Sequence, residues 1–336
     1  MDGFEGHLKI EPISSHKTGN GLFYFILVFT SLFLIIASPA SARPEKDLSF
    51  PQFIHAKAAI VVDTNKSVIY AKNQDVKLPP ASTTKLVTAM VALDYLKPEE
   101  RVVVSRNAAR VRSVRPRLRA NDELTVENLL HLALMKSINS AAVTLAEEIA
   151  GSEDGFVELM NQKALSIGAV NTRFANASGL PEGTQFTTVY DLTLIMNEAL
   201  KYPLIKEILG KKECSIATPE GKNLLLRNTN RLLWATDSMI GGKTGYTGQA
   251  QHCFVGAFQT EDGLIFTAVL GTSSRNRLWR STALLSSLIT GPKGIASIKV
   301  ENFISSGKGK VVKLKKKRHL SKRKKKTQPV RLARKI

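Results

Sequence analysis

Strand-like segments stand near both ends of the chain, and helical patterns lie between them. The first segment, AAIVVDTNKSVIYAKN at 58–73, predicts two strands around a polar turn. From Cys214 onward, the runs CSIAT, NLLLR, QHCFVGAFQ and LIFTAVLG have the apolar, β-branched composition of short strands. The intervening segments 140–150, 153–167 and 187–200 have helical periodicity. Strands at both ends with helices between them predict an α+β domain whose sheet joins the N- and C-terminal parts of the chain.

The composition is that of a folded protein that carries a basic tail. The 336 residues are 43% hydrophobic, which is enough for a packed core and excludes general disorder. The formal net charge is +20, but fifteen Lys and Arg residues and no acid lie between position 308 and the C-terminus. The rest of the chain therefore carries only about +5, so the basicity belongs to the tail.

The stretch PPASTTKLVTAM places Ser82 and Lys85 three residues apart at the start of a predicted helix. Residues i and i+3 share a helix face, so these side chains can come within hydrogen-bond distance. A serine hydroxyl is a useful nucleophile only when a base removes its proton. A lysine can do so only when it is neutral, which requires its pKa to fall from about 10.4 to near 7, at roughly 4–5 kcal/mol. A helix N-terminus, burial and a second cation would each lower it.

A second short motif, S-x-N, comprises Ser137 and Asn139. It follows the segment ELTVENLLHLALM, which is predicted to be a helix with Thr125 as its N-cap. Serine and asparagine in a turn between helices can cap the next helix. They can also relay a proton and donate amide hydrogen bonds to a substrate backbone, and the motif alone does not decide between these roles.

A third motif, K-T-G, places Lys243 and Thr244 between glycines, just before a predicted strand. A strand edge can pair with an extended peptide, while an ammonium and a hydroxyl can bind a carboxylate. The motif is not a phosphate-binding loop, because that pattern needs glycine at position 237, which is Asp237.

In this order, S-x-x-K, S-x-N and K-T-G resemble the signature of penicillin-binding proteins and class A β-lactamases. The stretches LPPASTTKLVTAMVALDYL, ELTVENLLHLALMKSINSAAVTLAE, NTRFANASGLP, NTNRLL and GGKTGYT are similar to the D-alanyl-D-alanine carboxypeptidases. These are low-molecular-weight penicillin-binding proteins of serine peptidase family S11, and the resemblance covers about 58–288. It implies a β-lactamase/penicillin-binding DD-peptidase fold, in which an all-helical subdomain packs on a five-stranded antiparallel sheet with the active site between them.

The resemblance implies a role for each motif residue. It makes Ser82 the acylated nucleophile and Lys85 its general base, and it places the third catalytic residue, Ser137, with Asn139 in the second wall of the cleft. It assigns the oxyanion hole to the backbone N–H groups of Ser82 and Tyr246. An arginine after the last strand binds the substrate carboxylate in this family; Arg277 is the candidate, with Arg275 as the alternative. The expected substrate-binding residues are Asn139, Lys243, Thr244, Gly245, Tyr246 and Arg277.

The resemblance also implies the reaction. The serine would attack the amide between the last two D-alanines of a peptidoglycan stem pentapeptide, D-alanine would leave, and water would hydrolyse the acyl-enzyme. β-Lactams would acylate the same serine, and neither a metal nor a cofactor is expected. DD-endopeptidase cleavage of cross-links at the same site is an alternative.

Two other functions fit the sequence less well. A β-lactamase needs a deacylating glutamate in an E-x-x-L-N pattern, whereas the corresponding segment NTRFANASGLPEG contains only Glu182, outside any such pattern. A non-catalytic wall-binding homologue would not need three intact motifs.

The N-terminus predicts export. Residues 21–37 are an uncharged apolar run, and the following Ala40-Ser41-Ala42 has the small-x-small pattern of a signal-peptide cleavage site. We therefore assign 1–42 to a signal peptide, with an uncleaved anchor as the alternative, 43–57 to a linker, and 58–290 to the catalytic domain. The expected location is the periplasm or the outer face of the cytoplasmic membrane.

Residues 291–336 are expected to form a disordered polybasic tail. Such a tail can bind anionic membranes or acidic envelope polymers, at about 1 kcal/mol per basic residue near a charged membrane. No nucleic acid is expected as a partner, because the export signal places the tail where nucleic acid is scarce.

The two cysteines, Cys214 and Cys253, form neither a disulfide framework nor a metal-binding pair in sequence. They are either two small buried side chains or a single bridge.

Overall fold

The computed structural model describes residues 53–218, 221 and 223–297. The predicted signal segment 1–42, the first part of the predicted linker, and the basic tail beyond 297 lie outside the described residues. No described helix is both long enough and apolar enough to cross a membrane.

Within the described residues, the strands form one large sheet and two small ones. The strands are β1 Ala58–Asp63, β2 Val68–Lys72, β3 Arg101–Val103, β4 Glu123–Thr125, β5 Glu213–Ala217, β6 Asn223–Arg227, β7 Met239–Thr247, β8 Gln251–Thr260 and β9 Gly263–Thr272. The large sheet is antiparallel with the order β2-β1-β9-β8-β7. Strand β1 pairs with β9, with Ala59 opposite Val269. The predicted sheet between the two ends of the chain is thus confirmed.

Helices fill the middle of the sequence. They are α1 Lys85–Tyr95, α2 Arg106–Arg110, α3 Val126–Met135, α4 Asn139–Ala150, α5 Glu153–Ser166, α6 Val189–Ala199, α7 Pro203–Gly210 and α8 Arg275–Ser297. The predicted N-cap is present, since the Thr125 hydroxyl accepts from the Asn128 N–H. Helix α4 ends where Gly151 adopts a φ of +70°, a conformation that glycine adopts at little cost.

The core lies on both faces of the sheet. Strand β1 is apolar and buried on both sides: Ile60 packs with the helical layer, and Val61 packs with a second cluster that contains Phe254 and Trp279. An uninterrupted apolar run is expected for a strand covered on both faces. The edge strand β7 borders the helical layer, and the cleft described below opens there.

Four local expectations need correction. Ser82 lies in a 3₁₀ turn, Ala81–Thr84, rather than in the helix, because the Thr83 N–H and hydroxyl both donate to the Pro80 carbonyl. The runs CSIAT and NLLLR form a separate two-stranded sheet, β5 with β6. The final helix continues to Ser297, beyond the predicted domain end at 290.

The fourth correction concerns the linker. Ile54 is 2% exposed and packs in the second cluster, and the Lys57 N–H donates to the Leu270 carbonyl. The folded domain therefore begins before Ala58, within the segment assigned to the linker.

The alternative of a disulfide bridge is wrong. Cys214 and Cys253 are both free, the first half-buried on β5 and the second fully buried on β8. Burial raises the pKa of the Cys253 thiol to about 12, which makes this thiol unreactive at neutral pH.

Candidate active site

Ser82 and Lys85 face each other at the junction of the 3₁₀ turn and α1. The Lys85 Nζ lies 3.0 Å from the Ser82 Oγ. The serine lines the cleft and is partly exposed, whereas the lysine is 0% exposed. The Ser82 hydroxyl can therefore contact a substrate, whereas the Lys85 amine behind it is shielded from solvent.

The Lys85 amine has three hydrogen-bond contacts, of which Ser82 is one. Its Nζ is 2.7 Å from the Asn139 Oδ1 and 2.5 Å from the Ser178 carbonyl oxygen. Both atoms only accept hydrogen bonds. A protonated amine donates its third proton to the Ser82 Oγ, whereas a neutral amine gives its two protons to these acceptors and turns its lone pair toward Ser82. The same geometry allows the hydroxyl proton to pass to the amine.

The electrostatic surroundings favour that neutral form. Burial lowers the pKa of Lys85 well below its usual value, the charge of Lys243 lowers it further, and the carboxylate of Glu153 opposes the shift. Within the described part of the chain, no carboxylate lies within 4.0 Å of the amine of Lys85 or Lys243. Without an ion-pair partner, desolvation decides the protonation state.

Lys243 is the second buried amine, and it lies on β7. Its Nζ donates to the Ser137 Oγ at 2.9 Å and to the Thr244 carbonyl at 2.9 Å. Burial lowers the pKa of Lys243 to about 7. This amine therefore changes charge near neutral pH, and it couples the sheet side of the site to Ser137.

Two residues next to the reactive groups have left-handed backbones without being glycine. Ala81, which precedes the candidate nucleophile, has a φ of +49°, and Ser137 has a φ of +61°. Each such conformation costs of order 1–3 kcal/mol and persists only where surrounding contacts impose it. Strain of this kind clusters at functional sites, which agrees with the positions of both residues.

Asn139 is held by the arginine-rich loop that follows α2. Its backbone N–H donates to the Ser113 Oγ at 2.9 Å, and its Nδ2 donates to the Arg112 carbonyl at 2.7 Å. Since that carbonyl can only accept, it fixes the orientation of the amide and turns the Oδ1 toward Lys85. No sequence motif indicates this support, because a backbone carbonyl has no residue-type signal.

A second unpredicted support comes from the loop at 176–179. The Ala177 N–H donates to the Glu153 Oε1 at 2.8 Å, which holds the loop just before the Ser178 carbonyl. Gly179 has a φ of +77°, and a Cβ there would lie 1.9 Å from the Ala81 oxygen. Only glycine lets this loop pass so close to the 3₁₀ turn.

Strand β7 runs directly past the nucleophile. A Cβ built on Gly245 would lie 3.0 Å from the Ser82 backbone nitrogen, so this glycine also permits a close approach. The Thr244 hydroxyl is 2.7 Å from that of Thr229, a residue that the motifs did not single out. The Tyr246 ring is exposed and lies 4.5 Å, centroid to centroid, from the ring of His252.

These groups surround a cleft of about 960 Å³. The predicted residues that line it are Ser82, Ser137, Asn139, Thr244, Gly245 and Tyr246. Lys85 and Lys243 lie buried behind them. Arg275 lines the cleft, whereas Arg277 does not and donates from its Nη1 to the Ser273 Oγ. Of the two arginines considered, the structure brings Arg275 to the site.

A family model described as D-alanyl-D-alanine carboxypeptidase, peptidase family S11, matches residues 45–274. The chain belongs to this family. The family predicted from the sequence is thereby confirmed.

Individual relatives of this S11 peptidase have two kinds of name. The D-alanyl-D-alanine carboxypeptidase DacF of Bacillus subtilis is 33% identical over 255 residues, which are 74% of this chain and 65% of the relative. A D-alanyl-D-alanine endopeptidase of Pseudomonas aeruginosa is 35% identical over 241 residues, 70% of this chain and 77% of the relative. The chain thus spans about two thirds of the length of the first of these and three quarters of the second.

Solved structures agree on the fold of this S11 peptidase. A D-alanyl-D-alanine carboxypeptidase from Mycobacterium tuberculosis superposes with a TM-score of 0.66 at 31% identity, covering 69% of this chain and 90% of that one. Together with the observed five-stranded antiparallel sheet, this confirms the predicted α+β fold of the penicillin-binding DD-peptidases.

Proposed function

We propose that this S11 peptidase is a serine-type D-Ala-D-Ala carboxypeptidase that removes the terminal D-alanine from peptidoglycan stem pentapeptides. The observation that supports this most strongly is the buried Lys85 amine, 3.0 Å from the Ser82 hydroxyl and without a carboxylate partner among the described residues. Such an amine can take the serine proton at neutral pH. A surface lysine cannot do this, because it remains protonated.

The proposed reaction begins with acylation of Ser82. The Ser82 Oγ bonds to the carbonyl carbon of the scissile amide as its proton moves to the Lys85 Nζ. The backbone N–H groups of Ser82 and Tyr246 stabilise the oxyanion. When the C–N bond breaks, the departing amine takes the proton back from Lys85, and D-alanine leaves. Ser137 lines the same cleft, and its hydroxyl accepts from the Lys243 amine. Water hydrolyses the ester with Lys85 again as the base.

Recognition of the terminal carboxylate involves β7. Thr244 offers its hydroxyl, which is oriented by the Thr229 hydroxyl 2.7 Å away. Because the pKa of Lys243 is about 7, both its neutral and its protonated forms are present near neutral pH. An incoming carboxylate favours the protonated form. Arg275 lines the same cleft and can add a second cation, in the role that sequence analysis gave to Arg277.

The test is mass spectrometry of the protein after incubation with penicillin, together with an assay of D-alanine release from a stem pentapeptide. We expect an adduct on Ser82, and loss of both adduct and release in Ser82→Ala. Ser166→Ala removes an exposed hydroxyl on α5 and should keep both. An adduct or D-alanine release that persists in Ser82→Ala would refute the nucleophile assignment.

Endopeptidase activity is the second candidate, and the Pseudomonas aeruginosa relative that is named for it favours this candidate. Cleavage of a D-Ala-linked cross-bridge would use the same serine and lysine. The ratio of kcat/KM for a cross-linked dimer to that for a pentapeptide decides between the two activities.

The location and the tail complete the proposal. The protein acts outside the cytoplasm, and its basic residues after 307 bind anionic lipid heads or acidic envelope polymers. Truncation after Gly307 should keep turnover in solution and abolish salt-sensitive binding to envelope fractions. Equal binding of the truncated and full-length proteins would overturn this part of the proposal.

A further inference from the structure

The cleft has a strongly positive lining. No aspartate or glutamate lines it within the described part of the chain, whereas five cationic side chains do: Arg115, Lys136, Arg227, Arg231 and Arg275. The proposed function uses cations for a single terminal carboxylate, on the β7 side. The remaining positive charge is more than that one carboxylate requires.

The cations differ in how far they are already neutralised. The Arg227 Nε lies 2.7 Å from the Glu213 Oε1, so the charge of Arg227 is already paired with a carboxylate. Arg115 and Lys136 have no ion-pair partner among residues 53–218, 221 and 223–297. Arg275 has no such partner there either, but the proposed function uses it for the terminal carboxylate, which leaves Arg115 and Lys136 for another group of the ligand.

Arg115 and Lys136 belong to the same wall, the one that contains Asn139. Lys136 directly precedes Ser137, and Arg115 lies two residues after Ser113, whose hydroxyl accepts the Asn139 N–H. The Asn139 Nδ2 donates one proton to the Arg112 carbonyl and has a second proton for the backbone of the peptide segment that precedes the scissile bond, the donor segment. A side chain of that donor segment would then lie beside the two cations.

We propose that Arg115 and Lys136 bind a carboxylate on a side chain of the donor segment. The site thus selects acidic peptides, with free carboxylates before the D-Ala-D-Ala pair, over peptides in which the same groups are carboxamides. This rests on the proposed function for the direction of the bound peptide. Partly exposed charge pairs are weak and screened by salt, so we expect a preference of about fivefold that falls as salt is added.

The experiment compares two synthetic peptides that end in D-Ala-D-Ala and differ only in a preceding glutamate or glutamine. Calorimetry on Ser82→Ala protein measures binding without turnover. We expect the glutamate peptide to bind about fivefold more tightly at low salt. The preference should disappear when Arg115→Gln and Lys136→Gln are added. It should persist when Arg106→Gln is added instead, since that exposed arginine on α2 does not line the cleft.

Equal affinity for the two peptides, or no binding of either, would overturn the inference. A preference that survives the loss of both cations would also overturn it. Failure of the proposed function has a different signature: wild-type protein would release no D-alanine from either peptide, while the glutamate preference in Ser82→Ala protein remained.

Discussion

The site contains two pairs of cationic residues whose environments differ. Lys85 and Lys243 are 0% exposed, whereas Arg115 is exposed and Lys136 is half-buried on the rim. None of the four has a carboxylate partner in the described part of the chain. Burial without a partner makes the interior pair easy to deprotonate, so it can move protons. The rim pair is in contact with solvent at the cleft, where it can attract anions.

The largest expected effect is a difference in acylation rate between a Lys85 variant and a Lys136 variant. Lys85→Gln should slow acylation of Ser82 by a fluorescent penicillin by about 10³-fold, because the general base is lost. Lys136→Gln should slow it less than about tenfold, since a partly solvated charge contributes little. The labelling rate of each purified variant is the measurement, with near-UV circular dichroism to confirm folding. Labelling of Lys85→Gln at more than a tenth of the wild-type rate would contradict this difference.

A second prediction concerns the backbone that holds the interior pair. Gly179→Ala should destabilise the protein by about 3 kcal/mol or more, because a left-handed backbone and a clash with the Ala81 carbonyl add together. Gly151→Ala is the matched control, with a similar φ of +70° and no atom within 4 Å of the new Cβ. It should cost only about 1 kcal/mol. Urea unfolding measures both, and equal losses would show that the close approach has no role.

The third prediction uses the two charges that act on Lys85 in opposite directions. Lys243→Met removes a charge that lowers the pKa of Lys85, so the rise of the acylation rate with pH should shift to higher pH. Glu153→Gln removes a charge that raises this pKa, so the rise should shift to lower pH. Two profiles that move in the same direction would disprove the electrostatic account.

The smallest expected effect is a change in how the free energy of unfolding depends on pH. At a pH between about 7 and 10, folded Lys243 has lost its proton while the unfolded chain keeps it. The unfolded state thus binds more protons, and the free energy of unfolding rises with pH, by roughly 1 kcal/mol per unit for this residue. Lys243→Met should show a correspondingly flatter rise in urea unfolding at pH 7, 8 and 9. An unchanged slope would mean that Lys243 is charged in the folded protein.

Part of this structure could be predicted because it follows one-dimensional patterns. The strands at both ends of the chain and the Thr125 cap follow from periodicity and residue type. The three motifs indicated residues that the structure brings to one cleft, with Lys85 and Lys243 behind it. Arg277 was a weaker choice, because two arginines two residues apart leave the helix register undetermined.

The supporting groups could not be predicted, because they depend on tertiary contacts. The Ser178 carbonyl that accepts from Lys85 lies 93 residues away in sequence, and any residue type supplies such an oxygen. Glu153 acts through the Ala177 N–H, which no motif contains. The length of α8 was misjudged because Gly291 and Pro292 usually end a helix.

The central claim is that Lys85 is neutral beside Ser82 at physiological pH. The most direct test is an NMR titration of the full-length protein with ¹³C-labelled lysine, in which the Lys85 signal is assigned by its loss in Lys85→Gln. The account predicts a midpoint for Lys85 well below the ordinary value of about 10.4. A midpoint at that ordinary value would show a permanently charged amine, which cannot take the serine proton.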